Sequence, residues 1–214
     1  MTGQEIILDG VDYIYDVKTP WAHPALNQIS LTIDPGSRLL VVGENGSGKS
    51  TLAWILAGLY SPSTGQANLN GMPLTGQTAN LGFLIQHTRL QLLSPTVGQE
   101  FSTFGISDID ANLAMTSMGL STIGLGTQLE ALSVGQQRRV GLAVLFARTC
   151  PVVILDEPLA GLDLHGQRRI VGAVSALPST TTVITVTHDL EASTPLATDA
   201  IELTKGSISK EWEL

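Results

Sequence analysis

Gly43-Glu44-Asn45-Gly46-Ser47-Gly48-Lys49-Ser50 fits the pattern G-x-x-x-x-G-K-[ST] at every fixed position. The glycines permit backbone angles that turn successive N–H groups inward, toward phosphate oxygens. An apolar stretch, Leu39–Val42, precedes the loop, and a helical stretch, Lys49–Ala57, follows and stops at Gly58. The helix adds the positive end of its dipole to the same concavity. Lys49 is placed to reach β- and γ-phosphates, and the Ser50 hydroxyl to ligate Mg²⁺. Strand, glycine loop and helix in that order predict a nucleotide-binding α/β domain.

Working outward, a second chemical feature lies downstream. Val152–Leu155 reads as a buried strand that runs into Asp156-Glu157. At the carboxyl end of a parallel strand such carboxylates face the ligand crevice. Asp156 is expected in the Mg²⁺ shell, through water, and Glu157 as the general base for an attacking water. Thr181–Thr187 reads as another buried strand, and His188 follows it, in reach of a γ-phosphate. Helices are expected over Gln136–Ala147 and Asp163–Leu177, the latter stopped by Pro178. Near the start, Glu5–Tyr15 reads as strand, as do Leu31–Ile33 and Arg38–Val42 around Asp34-Pro35-Gly36, and Leu81–Ile85 further on. The segment from Val97 to Gly126 is rich in helix formers, Ser and Gly, and is expected to form a small helical lobe. Buried strands alternating with helices imply a mostly parallel sheet.

Composition narrows the function further. The chain has 214 residues, 43% of them apolar and 14% charged, with a net charge of −8. A chain of this length buries about 70% of its unfolded surface, which suits one sizeable core. The acidic balance disfavours nucleic acid and an anionic membrane surface as direct partners. Cys150 is the one cysteine, so no internal disulfide forms and a reducing compartment is expected. Met1–Gly10 lacks the basic and apolar regions of a signal peptide. The longest nearly apolar stretch, Val140–Ala147, is far short of the ~20 residues of a spanning helix.

Four further segments carry a resemblance. Gln86 ends the strand at Leu81–Ile85. Leu132-Ser133-Val134-Gly135-Gln136-Gln137-Arg138-Arg139 is similar to the signature L-S-G-G-Q-x-x-R. Leu159-Ala160-Gly161-Leu162-Asp163 follows the acidic pair, and His188 follows in turn. In that order the segments resemble the Walker A, Gln loop, signature, Walker B, D-loop and His loop of the ABC-type ATPases, over nearly the whole chain. The resemblance implies a P-loop ABC cassette spanning 1–214. Its parts are a mostly parallel core sheet, an N-terminal antiparallel β portion and a helical subdomain at about 90–135.

What the resemblance implies for the site follows residue by residue. ATP is cradled by Gly43–Ser50 and Thr51, with Ser50, Asp156 and Gln86 on Mg²⁺ and with Glu157 and His188 catalytic. Cassettes of this family pair head to tail, so Ser133, Gly135 and Gln136 would meet ATP held by a second ABC ATPase subunit. Asp163 belongs to the D-loop. An aromatic upstream of the loop stacks on adenine, and Tyr15 is the candidate, with Tyr13 and Trp21 as competitors.

Tyr15–Trp21 leading to Ala25-Leu26, Gln91–Val97 and Pro158–Asp163 resemble the energy-coupling-factor (ECF) ATPases more narrowly. That implies import of a vitamin or metal ion. The ATPases would sit on the cytoplasmic face of the membrane, held by a transmembrane coupling subunit beside a separate substrate-capture membrane protein. A conventional ABC transporter subunit or a soluble ABC ATPase is the alternative. Leu90, Leu92, Leu93, Val97, Phe101 and Phe104 are expected to divide between a coupling surface and the core of the helical lobe. Two positions depart from the pattern. Val134 replaces the first signature glycine, where a β-branched side chain crowds a phosphate contact. Leu159 replaces a usual Ser or Thr.

Overall fold

The computed structural model describes residues 4–77 and 80–214; Met1–Gly3 of the amino-terminal segment lie outside them. The strands are β1 (Ile6–Tyr15), β2 (His23–Ile33), β3 (Arg38–Val42), β4 (Thr64–Leu69), β5 (Met72–Pro73), β6 (Leu81–Leu84), β7 (Val152–Asp156), β8 (Thr182–Val186), β9 (Asp199–Thr204) and β10 (Ser207–Glu213). The α-helices are α1 (Lys49–Leu56), α2 (Val97–Thr103), α3 (Asp108–Ser117), α4 (Val134–Ala147), α5 (Leu164–Ser175) and α6 (Leu190–Ser193). Among the described residues no helix is long and apolar enough to cross a membrane.

Residues divide into two compact units. One comprises 1–83, 151–157 and 178–214, the other 84–150 and 158–177. The first carries the sheets. A six-stranded sheet runs β10-β9-β3-β8-β7-β6, and a four-stranded one runs β2-β1-β4-β5. β3 pairs in parallel with both β8 and β9, and β7 in parallel with β8. β10 is antiparallel to β9 at the edge. β7 and β8 are buried at every position, which explains their continuous apolar and β-branched sequences. The four-stranded sheet is antiparallel and amphipathic, with Ile6, Leu8 and Val11 of β1 facing inward.

Three adjacent parallel strands therefore fix the site. β3, β8 and β7 end at the same edge, so the loops that leave them open on one crevice. The phosphate loop leaves β3, Thr187-His188 leaves β8, and Glu157 leaves β7.

The structure extends the sequence reading in three places. β2 starts at His23 rather than Leu31 and joins β1, not β3. Pro24 is tolerated there because β2 is an edge strand. Gln28 has a positive φ of 49° and anchors to the Asp12 carboxylate through its backbone N–H and its Nε2. The Thr64 hydroxyl, then these Gln28 bonds, hold the Asp12 carboxyl below its ordinary value. β4 is a strand despite its sequence Thr-Gly-Gln-Ala-Asn-Leu. Its Gly65 lies so close to Gly10 O that a Cβ would collide with it. β9 and β10 form a hairpin through Lys205 (φ 48°) and Gly206 (φ 83°), the two left-handed residues of a primed turn.

The second unit packs α4 against α3 and α2. Val97, Phe101, Ala111 and Met115 form its buried apolar face. Leu90 (71% exposed) and Leu93 (85%) face outward, and Phe104 is capped by the Arg148 guanidinium at 4.6 Å. The six candidates named for a coupling surface thus divide: Val97 and Phe101 are core, Leu92 is half-buried, and Leu90, Leu93 and Phe104 are exposed. Leu92 and Leu93 line a groove of about 470 Å³ with Arg89, Pro95, Leu129 and Gln137.

Candidate nucleotide site

The phosphate loop is a cradle that side chains would fill. Gly43 has φ 150°, Gly46 φ 79° and Gly48 φ 103°. A Cβ on Gly43 would collide with Leu203 O and approach Ser47 Oγ at 2.7 Å. One on Gly48 would lie 2.5 Å from Ala25 O. Gly48 is the N-cap of α1 and offers no side chain to the first turn. Orphan N–H groups at that turn are left to an anion. Ser47 is buried, and its Oγ has no hydrogen-bond partner. Glu44, Asn45 and Gly46 are exposed along the loop.

Lys49 is 8% exposed and donates from Nζ to Gly43 O (2.7 Å) and Glu44 O (2.8 Å), staking the loop to its own helix. Burial lowers its pKa, while the negative charges of Glu157 and Asp156 oppose that shift. Lys49 therefore feels the charge of the acidic pair that closes β7 and begins the loop after it. Ser50 is exposed at the first turn of α1, and Asp156 is 4% exposed at the end of β7. Hydroxyl and carboxylate oxygens are hard donors of the kind Mg²⁺ takes alongside substrate phosphates. Among the described residues no group of three or more His, Cys, Asp or Glu forms a self-sufficient metal cage. A metal shared with a phosphate ligand fits such a donor set.

Glu157 departs from regular geometry. Its φ is 52°, and its N–H bonds Val186 O at 2.8 Å, which turns the side chain back across β8. Oε1 accepts from the His188 backbone N–H (2.9 Å) and pairs with His188 Nδ1 (2.6 Å). A carboxylate accepts, so Nδ1 carries the proton and Nε2 is presented outward on a side chain 59% exposed. Oε2 accepts from the Thr187 hydroxyl at 3.0 Å.

On the base side, the Tyr15 hydroxyl and Thr51 Oγ1 share a hydrogen bond of 3.0 Å, which sets the ring beside the helix that follows the loop. One face of Tyr15 stacks on His23 (5.1 Å, 20°). Tyr13 instead stacks on Tyr60, and Trp21 is 78% exposed. The sequence reading weighed Tyr13, Tyr15 and Trp21 but missed His23. Its pairing with Tyr15 across β2–β1 became visible only with the register His23↔Tyr15.

The remaining predicted residues lie in the second unit. Ser133 is the N-cap of α4, where its hydroxyl accepts from Gln136 N while the Gln136 side chain accepts from Ser133 N. In this reciprocal box the Ser133 hydroxyl accepts, which leaves its own proton, with the N–H groups of Val134 and Gly135, to donate to an anion. Val134 is 78% exposed on the first turn. Asp163 caps α5 by accepting from Gly166 N at 2.7 Å. Gln86 is exposed, and its backbone carbonyl accepts from Arg138 Nη2 (2.6 Å), while Arg138 Nη1 donates to Ala160 O (2.6 Å). Leu159 is buried.

Comparison with known proteins agrees with this geometry. An uncharacterised ABC transporter ATP-binding protein of Mycobacterium tuberculosis (strain CDC 1551 / Oshkosh) is 40% identical over 205 residues, covering 93% of this chain but 29% of that protein. The chain thus spans under a third of the mycobacterial relative's length. The energy-coupling factor transporter ATP-binding protein EcfA2 of Symbiobacterium thermophilum is 33% identical over 229 residues, covering 98% of this chain and 79% of the relative. A dimeric ATP-binding cassette solved with ADP and phosphate superposes with a TM-score of 0.87 at 23% identity, covering 98% of each chain, and shows that the fold is shared. Residues 26–160 match the family described as ABC transporter. On the loop, the acidic strand end and these matches together, the chain belongs to the ABC transporter ATP-binding family.

Proposed function

We propose that the chain is an ATP-hydrolysing cassette of 1–214, with a helical subdomain at about 90–135, that drives import through an ECF-type transporter. The observation that carries hydrolysis is the Glu157 carboxylate, held by Thr187 and His188 at the carboxyl edge shared by β3, β8 and β7. The loop N–H groups and Lys49 hold the β- and γ-phosphates of ATP, and the Tyr15–His23 pair flanks the base. Ser50 and Asp156 hold Mg²⁺, joined by Gln86. When bound, the ion neutralises charge on the phosphate oxygens.

Glu157 takes the proton of a water that attacks the γ-phosphorus. The bond between that phosphorus and the β–γ bridging oxygen breaks, leaving ADP and phosphate. His188 presents Nε2 toward the γ-phosphate oxygens and donates to them in the imidazolium form, in which both ring nitrogens carry a proton. Ser133, Gly135 and Gln136 face ATP on a second cassette, as Asp163 faces the paired site. The groove beside Leu92 and Leu93 takes the transmembrane coupling subunit, and a separate membrane protein captures the vitamin or metal ion. The chain then works at the cytoplasmic face of the membrane. The EcfA2 relatives support the ECF reading.

Two measurements test the proposal. Glu157→Gln should abolish ATP turnover while retaining bound ATP; turnover at the wild-type rate would remove Glu157 as the base. A tagged chain should co-purify from detergent-solubilised membranes with a small coupling protein and a capture protein. Long conventional transmembrane subunits in their place would keep the motor and reject the ECF assignment.

A further inference from the structure

We propose that Thr187 is a positioning residue that aims the Glu157 carboxylate at the attacking water. The inference rests on Glu157 being the base. Thr187 is 2% exposed, one residue past the end of β8. Its hydroxyl sits between two groups with fixed roles. Asp189 N–H can only donate, and it lies 3.1 Å from Thr187 Oγ1. The Glu157 carboxylate accepts, so the hydroxyl proton points at Oε2, 3.0 Å away.

The support beneath Thr187 is rigid. Its backbone N–H bonds Val41 O at 3.0 Å, on the strand that leads into the phosphate loop. Glu157 N bonds Val186 O at 2.8 Å. Strands β3, β8 and β7 are thereby linked through one hydroxyl to the carboxylate. Oε1 is held separately by the His188 backbone N–H, so residues 187 and 188 grip opposite oxygens and fix the plane of the group. A base must meet its water in a narrow range of angles, and a displacement of ~1 Å costs up to about 100-fold in rate. The left-handed backbone at Glu157 (φ 52°) makes this grip necessary, because the side chain leaves the strand in a direction that regular β geometry does not set.

Thr187→Val keeps the branched shape and removes the hydroxyl. In the purified, ATP-hydrolysing complex it should lower kcat about 10–100-fold. KM and the affinity for a fluorescent ATP analogue should stay within about twofold, because ground-state binding is untouched. Thr187→Ser should restore kcat. Thr187→Cys, a weak donor, should remain slow and provides the comparison if the valine variant does not fold. Combined with Glu157→Gln, Thr187→Val should add no further loss. A wild-type kcat in Thr187→Val, or equal rates in the serine and cysteine variants, overturns the positioning role. An equal loss of ATP affinity in Thr187→Val does so as well. If Glu157→Gln itself retains turnover, the base assignment has failed and this inference falls with it. If Glu157→Gln is dead while Thr187→Val is normal, only the positioning role is lost.

Discussion

Substituting alanine for Gly48 and, separately, for Gly46 isolates what the phosphate loop requires of its backbone. Both glycines have positive φ, 103° and 79°. Either alanine therefore meets the left-handed penalty of about 1–2 kcal/mol for a residue with a Cβ. Beyond that the two differ. A Cβ at Gly46 has no atom within 4 Å, whereas one at Gly48 lies 2.5 Å from Ala25 O and 2.9 Å from Leu26 Cδ2. Leucine can rotate, but Ala25 O belongs to β2, whose next residues are tied to the hairpin turn by the bond from Asn27 N to Gly206 O at 2.8 Å. Relief must come from the loop or from the strand. Overpacking of this kind adds about 1–3 kcal/mol. Gly48→Ala should thus cost roughly 2–5 kcal/mol, a large part of an ordinary domain's stability, against about 1–2 kcal/mol for Gly46→Ala. Urea denaturation followed by circular dichroism reads both. Binding of a fluorescent ATP analogue should fall in parallel for Gly48→Ala, because Gly48 is the N-cap of α1. Equal unfolding midpoints for the two variants would refute the argument that backbone approach, rather than dihedral freedom alone, demands glycine at 48.

Other perturbations follow from the same geometry. Burial holds the Lys49 pKa below 10.5 in the folded chain, so between that lowered value and 10.5 the unfolded chain binds more protons and stability rises with pH. Against Lys49→Met, wild type should gain relative stability as pH climbs toward 10.5, read from urea midpoints; parallel curves would contradict the burial. Ser133→Ala removes the cap of α4 and should cost about 1 kcal/mol, a drop of ~2–4 °C in Tm, measured by calorimetry. Val134→Gly relieves the exposed branch on the first turn and should raise ATP turnover in the assembled pair, at a stability cost near 0.5 kcal/mol from helix propensity. Unchanged turnover would make Val134 neutral to catalysis.

How far the sequence reaches depends on whether a feature is local. The phosphate loop is eight consecutive residues, and its glycine spacing encodes the cradle directly. β7 and β8 were equally plain, because strands buried on both faces run as nearly continuous apolar and β-branched residues. β4 was hidden for the opposite reason. Gly65 and its polar neighbours have weak strand preference, and the backbone contact with Gly10 that makes them a strand lies 55 residues away in the chain. The β9–β10 hairpin turns on Lys205-Gly206, where lysine rather than Asn or Asp occupies the first left-handed position and weakens the usual signal.

The same distinction governs the site. Glu157 and His188 could each be placed at a strand exit, but their union is set by parallel pairing across 31 positions and by a left-handed φ that no motif announces. Tyr15 was found by its position upstream of the loop, whereas His23 needed the β1–β2 register to enter. Sequence motifs here name the groups that meet phosphate. The carboxylate's aim comes from Thr187, a residue with no chemistry of its own in the reaction, whose importance exists only once β3, β8 and β7 lie side by side.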